Sequence, residues 1–116
     1  DNNGIITEEA LIRLNPDVIM VCGFYREQGV NYLTDGKYDD ILNAVKNDKV
    51  YYYPLGMYDW SAGGFELGIS SLWTAKTLYP EYFEDIDLVS VTKDYYKNTT
   101  GATLSDEDIK YIFEDK

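Results

Sequence analysis

Apolar and polar positions along the chain alternate between helix-like and strand-like patterns. The stretch 5–14 carries apolar residues behind Thr7, Glu8 and Glu9. Thr7 is suited to cap a helix and the two acids to fill its first turn. Asn15-Pro16 stops that helix, because proline disfavours a helical residue before it. Residues 17–22 are then continuously apolar and β-rich, which predicts a buried, parallel strand. After Gly23 the chain turns polar. Tyr38, Ile41, Leu42 and Val45 then fall at i, i+3, i+4 and i+7, predicting an amphipathic helix over 37–46 with a turn at Asn47-Asp48. Residues 49–53 predict a second strand, closed by Pro54 and followed by a glycine-rich loop over 55–64. Phe65, Ile69, Leu72, Trp73 and Leu78 form one wide stripe, so a mostly buried helix is expected before Pro80. Leu88, Val91 and Tyr95 predict a helix over 87–97, broken by Thr99-Thr100-Gly101. A last helix starts at Ser105, where Ser105 and Asp108 have capping-box spacing, and carries Ile109, Ile112 and Phe113. Helices alternating with buried strands define an α/β layer architecture.

Composition narrows what such a domain can do. A length of 116 residues allows one domain. The net charge of -11 repels phosphate backbones, which argues against nucleic acid as a partner. No apolar run reaches the length of a membrane span, and any export signal is expected to lie outside these residues. The chain has no histidine, so the commonest metal ligand and general base are both missing. Its one cysteine, Cys22, sits in the apolar strand pattern and reads as a small buried hydrophobe, so no internal disulfide framework is expected.

The residues resemble a known family. Glu8 to Leu14, the tripeptide Asn15-Pro16-Asp17 and the strand Val18-Ile19-Met20-Val21 are similar to the second lobe of iron-siderophore and cobalamin binding proteins of ABC importers. In the family's order follow Ala44-Val45-Lys46-Asn47-Asp48-Lys49-Val50-Tyr51, then Trp60 in a loop, then Leu72-Trp73-Thr74-Ala75-Lys76-Thr77-Leu78-Tyr79-Pro80-Glu81. Ile86-Asp87-Leu88 and Leu104-Ser105-Asp106-Glu107 complete a likeness that covers nearly the whole chain. Two departures stand out. Asp48 replaces the usual turn glycine, which strains a left-handed turn, and Tyr38 occupies a usual tryptophan position.

The resemblance implies a three-layer, Rossmann-like α/β lobe with a small, mainly parallel sheet flanked by helices. It also implies that residues 1–116 are a C-terminal lobe, with the N-terminal lobe, the linking helix and this lobe's first strand and helix outside the chain. The expected function is capture of an iron-siderophore or related metal chelate between two lobes and delivery to an ABC permease, without catalysis or cofactor. Cobalamin or haem are alternatives, as is a non-transport surface or sensory module. An extracytoplasmic place, lipid-anchored through the missing N-terminus, goes with it, and an incomplete sheet would favour self-association.

Ligands of open α/β sheets bind beyond the carboxyl ends of the strands. That points to Tyr25 and Arg26 after the first strand and to Tyr58, Asp59, Trp60 and Ser61 after the second. Arg26 either clamps ligand oxygens by paired hydrogen bonds or is a solvated loop cation. Trp60 either faces the ligand or packs into its own domain, and the loop's backbone N–H groups are expected to receive a ligand's negative charge. Tyr51-Tyr52-Tyr53 read as core and sheet packing. Glu8 and Glu9 are the permease-docking candidates by resemblance, although both also suit a helix N-terminus. Asp59 and Glu66 could be imagined as a catalytic carboxylate pair or, with the C-terminal acids, as a calcium cluster. The first lacks a nucleophile motif and the second lacks EF-hand spacing, so neither is expected. Asn98-Thr99-Thr100 matches a glycosylation sequon, a three-residue pattern of little weight.

Overall fold

A computed structural model describes residues 6–113 and shows a mixed α/β chain. In order along the chain come helix α1 (Glu8–Leu14), strand β1 (Ile19–Val21), α2 (Arg26–Leu33), α3 (Asn43–Lys46), β2 (Val50–Tyr52), α4 (Leu67–Leu78), α5 (Leu88–Thr100) and α6 (Asp106–Phe113). Short 3-10 turns stand at Gly23–Tyr25, Trp60–Ala62 and Pro80–Tyr82. The described residues form two compact units, one of residues 6–21 and 25–52, the other of 22–24 and 53–113.

In the first unit β1 and β2 pair in parallel, Ile19 opposite Val50 and Val21 opposite Tyr52. Their apolar faces meet a core of Leu33, Tyr38 and Leu42, with Leu11 and Val45 packed alongside. Thr7 caps α1 through its hydroxyl, and Asn15 ends it in a left-handed conformation with φ 41°. Asn15 then reaches across to the next element. Its side-chain oxygen accepts the Asn43 N–H at 2.8 Å, while the Pro16 carbonyl accepts the Ala44 N–H at 3.0 Å.

Those two bonds explain why the helix expected over 37–46 does not form. A helix from Lys37 would send the same two N–H groups back to Asp39 and Asp40. Instead Tyr38 begins a turn, Leu42 is extended, and α3 holds only Asn43–Lys46. The end of α3 follows expectation: Asp48 is left-handed with φ 56°, and Lys49 N–H bonds to Ala44 O while Asp48 N–H bonds to Val45 O. This is a Schellman motif with aspartate where glycine is usual. Helix α2, read from sequence as a polar stretch, is an addition.

The second unit has its own core of Trp60, Ile69, Tyr96 and Ile112, against which Tyr53, Leu72, Trp73 and Phe113 pack. Helix α4 is less buried than its stripe predicts. Only Ile69 and Ser70 are fully covered, and Phe65 and Leu67 are exposed. Helix α5 runs to Thr100 and is capped by Gly101, so the Thr-Thr pair lies inside it and the glycine alone ends it. Ser105 and Asp108 form the expected capping box, each backbone N–H bonding the other's side chain.

Candidate functional site

Because β1 and β2 are parallel, the chain leaves both strands at the same edge of the sheet. The second unit begins there with Cys22–Phe24 and resumes at Tyr53. Two buried carboxylates organise this region.

Asp59, fully buried, accepts hydrogen bonds from Phe24 N at 2.7 Å, from Ser61 N at 2.8 Å and from the Cys22 thiol at 2.9 Å. Burial pushes its carboxyl pKa up, but the bonds from Cys22, Ser61 and Phe24 outweigh it and hold the group below the ordinary aspartate value. Cys22 is therefore a half-buried thiol donor as well as an apolar neighbour.

Glu66, equally buried, receives the Trp60 indole N–H at 2.9 Å, the backbone N–H of Tyr58 at 3.0 Å, that of Met57 at 3.2 Å, and the Tyr96 hydroxyl. The phenol of Tyr96 is pushed well above its ordinary pKa by burial and by Glu66. Glu66 thus ties the loop to α5. Its role went unseen in the sequence, where the only signal was an acid just ahead of a largely apolar helix.

The candidates divide by exposure. Trp60 is only 1% exposed, edge-on to Phe113 with ring centroids 5.6 Å apart, and its carbonyl accepts the Ser70 hydroxyl. It is a core residue in this lobe, and the expectation of an indole facing a cleft does not match its position. Asp59 likewise faces inward. Neither buried carboxylate has room for a catalytic or calcium role, since protein donors already occupy them. Tyr58 is 55% exposed and stands edge-to-face with Phe24, which is 53% exposed, at 5.1 Å and 81°. Ser61 is exposed beside them in sequence, and its N–H is held by Asp59. Phe24, passed over as a candidate in the sequence, is the ring that Tyr58 meets.

Tyr25 and Arg26 belong to the first unit. Tyr25 is exposed, but Arg26 is only 8% exposed and opens α2 rather than lying in a loop. Its guanidinium sits 5.5 Å from the centre of the Tyr52 ring. Burial lowers its pKa, an effect Tyr52 partly opposes. That stacking supports neither a solvated cation nor an open clamp. At the start of α1, Glu8 pairs with Lys37 at 2.6 Å, whereas Glu9 is exposed and makes no ion pair among the described residues.

A cavity of about 150 Å³ adjoins this loop within the second unit, lined by Gly56, Met57, Tyr96, Leu104, Asp108 and Ile112. It is smaller than the roughly 300–1,000 Å³ of typical ligand pockets. The exposed edge around Tyr58 is therefore the better binding candidate.

A mixed α/β fold with a small parallel sheet matches one lobe of a periplasmic solute-binding protein. The chain is similar in structure to a periplasmic solute-binding protein from Veillonella parvula, with TM-score 0.69 and 26% identity over 92% of this chain and 33% of that one. An ABC transporter solute-binding protein from Sulfurospirillum deleyianum gives TM-score 0.72 and 29% identity over 93% of this chain and 33% of that one. The molybdate-binding protein MolA of Haemophilus influenzae is 33% identical over 93 residues, which are 79% of this chain and 26% of MolA. The structure of MolA with molybdate bound matches at TM-score 0.67 and 30% identity, over 86% of this chain and 31% of that one. This chain spans about a quarter of the length of its curated relative. No protein-family model matches it. The similar proteins are named as solute-binding proteins, MolA for molybdate.

Proposed function

We propose that this chain is the C-terminal lobe of an extracytoplasmic, lipid-anchored solute-binding protein that captures a metal chelate of the iron-siderophore type and hands it to an ABC permease. No bond is made or broken. Two lobes close over the ligand, and the closed form docks on the membrane partner. The observation that carries the ligand class is the exposed Phe24–Tyr58 pair of the second unit, a surface suited to the organic shell of a chelate. Tyr58 and Ser61 of the second unit are the proposed contacts, and Asp59 holds the Ser61 N–H from a buried position. Calorimetry of the full-length protein against ferric siderophores, cobalamin and haem tests this reading, and saturable binding of a ferric siderophore is the expected result.

A second reading is molybdate, favoured by the 33% identity with MolA. The same calorimetry with molybdate separates the two.

Docking is proposed at the start of α1. Glu8 is engaged with Lys37, so Glu9 is the carboxylate available to a cationic group of the permease. Replacing Glu9 with glutamine should impair transport while leaving ligand affinity intact, and an equal effect from Glu8→Gln would count against the assignment.

A further inference from the structure

Seven N–H groups in and beside the loop after β2 are already engaged within the chain. Its backbone N–H groups at Met57 and Tyr58 bond to Glu66, and that at Ser61 bonds to Asp59. Gly56 N–H bonds to Tyr58 O and Trp60 N–H to Pro54 O. The Trp60 indole N–H goes to Glu66, and across the gap Phe24 N–H goes to Asp59. A bare oxyanion is recognised by convergent N–H and cationic donors. Here five of those donors are occupied by the chain's own carboxylates and two by its carbonyls, and the carboxylates' negative charge lies beneath the surface and would repel a second anion.

What remains on the outside is apolar. Phe24 and Tyr58 meet edge-to-face and Met57 beside them is 73% exposed. Each ring-bearing residue has its backbone N–H bonded to a different buried carboxylate, Phe24 to Asp59 and Tyr58 to Glu66. The backbone carrying the pair is thereby anchored before any ligand arrives, which reduces the ordering cost of binding. Edge-to-face rings leave a face free for a third ring, and a thioether adds a favourable contact at its edge.

Building on the reading of this segment as a ligand face, we infer that Phe24 and Tyr58 form a preset contact for an aromatic ring of an organic ligand, and that this segment excludes bare oxyanions. Asp59 and Glu66 are positioning residues for that contact. The ligand's charge, if it has one, is met elsewhere.

The test is a nuclear magnetic resonance titration of the chain with catechol and, separately, with sodium molybdate. Catechol should shift signals of Phe24, Met57 and Tyr58, and Tyr58→Ala should weaken its binding roughly fivefold, the loss of one aromatic contact. Tyr58 lies outside the core, so the variant's melting curve should match that of the parent. Phe24→Ala provides a second, independent variant. Molybdate should leave the amides of residues 56–61 unmoved. Saturable molybdate shifts at those amides would overturn the inference while leaving the ligand face standing. Silence from both probes, or catechol shifts unchanged in both variants, would remove the ligand face together with the inference.

Discussion

At Gly56 the chain passes so close to Glu66 and Tyr96 that an added Cβ would overlap both side-chain oxygens and lie 2.7 Å from the Trp60 indole nitrogen. The four groups form one buried polar cluster, and a change at any of them is felt by the others. Trp60→Ala should therefore cost about 3–5 kcal/mol of stability, the range for emptying a buried aromatic site. Thermal or urea unfolding measures it, and a cost near zero would contradict the buried indole. Asp59 adds a pH dependence whose sign follows from its depressed pKa. Its stabilising bonds are fully present above the unfolded-chain value of about 3.9 and are lost as pH falls through the lower folded value. The melting temperature should thus fall more steeply below about pH 4 in the parent protein than in Asp59→Asn. Parallel curves would show that the carboxylate is not held as described.

Two helix ends make opposite use of the left-handed conformation. Gly101 closes α5 at φ 79° with nothing within 4 Å of where a Cβ would stand, so Gly101→Ala should cost about 1 kcal/mol through the backbone alone. Asp48 closes α3 at φ 56°, and Asp48→Gly should raise the melting temperature for the same reason. Both ends were legible in the sequence because a glycine or its conspicuous replacement sits where the apolar period stops. The same local signals located α1, both strands, α4, α5 and α6. They failed over 37–46, where the periodicity is genuine but Asn43 and Ala44 direct their N–H groups to Asn15 and Pro16, nearly thirty residues earlier. No local pattern encodes that competition. The site was half legible for a related reason: the loop could be located from its place after a strand, but which of its aromatics turns inward depends on the meeting of Glu66 with Tyr96, thirty residues further along the chain.

For the whole chain, the proposed function assigns these residues one side of a two-lobed binding site, and one side alone buries little of any ligand. Calorimetry on these 116 residues should therefore detect no micromolar binding of a ferric siderophore. A sheet of two strands among the described residues also leaves backbone edges open to pairing, against which a net charge of -11 acts by repulsion. Sedimentation should show self-association that strengthens as salt screens that charge. A monomer at every salt concentration would remove this expectation.

The position of Trp60 also decides which optical assays can work. An indole sealed among Ile69, Tyr96 and Phe113, with its N–H held by a carboxylate, is shielded from water in the folded lobe. Its emission should lie toward the blue and respond to unfolding more than to a solute arriving at Tyr58. Trp73 is half-buried against Tyr53, with ring centroids 5.1 Å apart, and is likewise engaged within its own unit. Intrinsic fluorescence is consequently a gauge of folding in this lobe, and a tryptophan newly placed at Phe24 or Tyr58 would turn it into a reporter of occupancy.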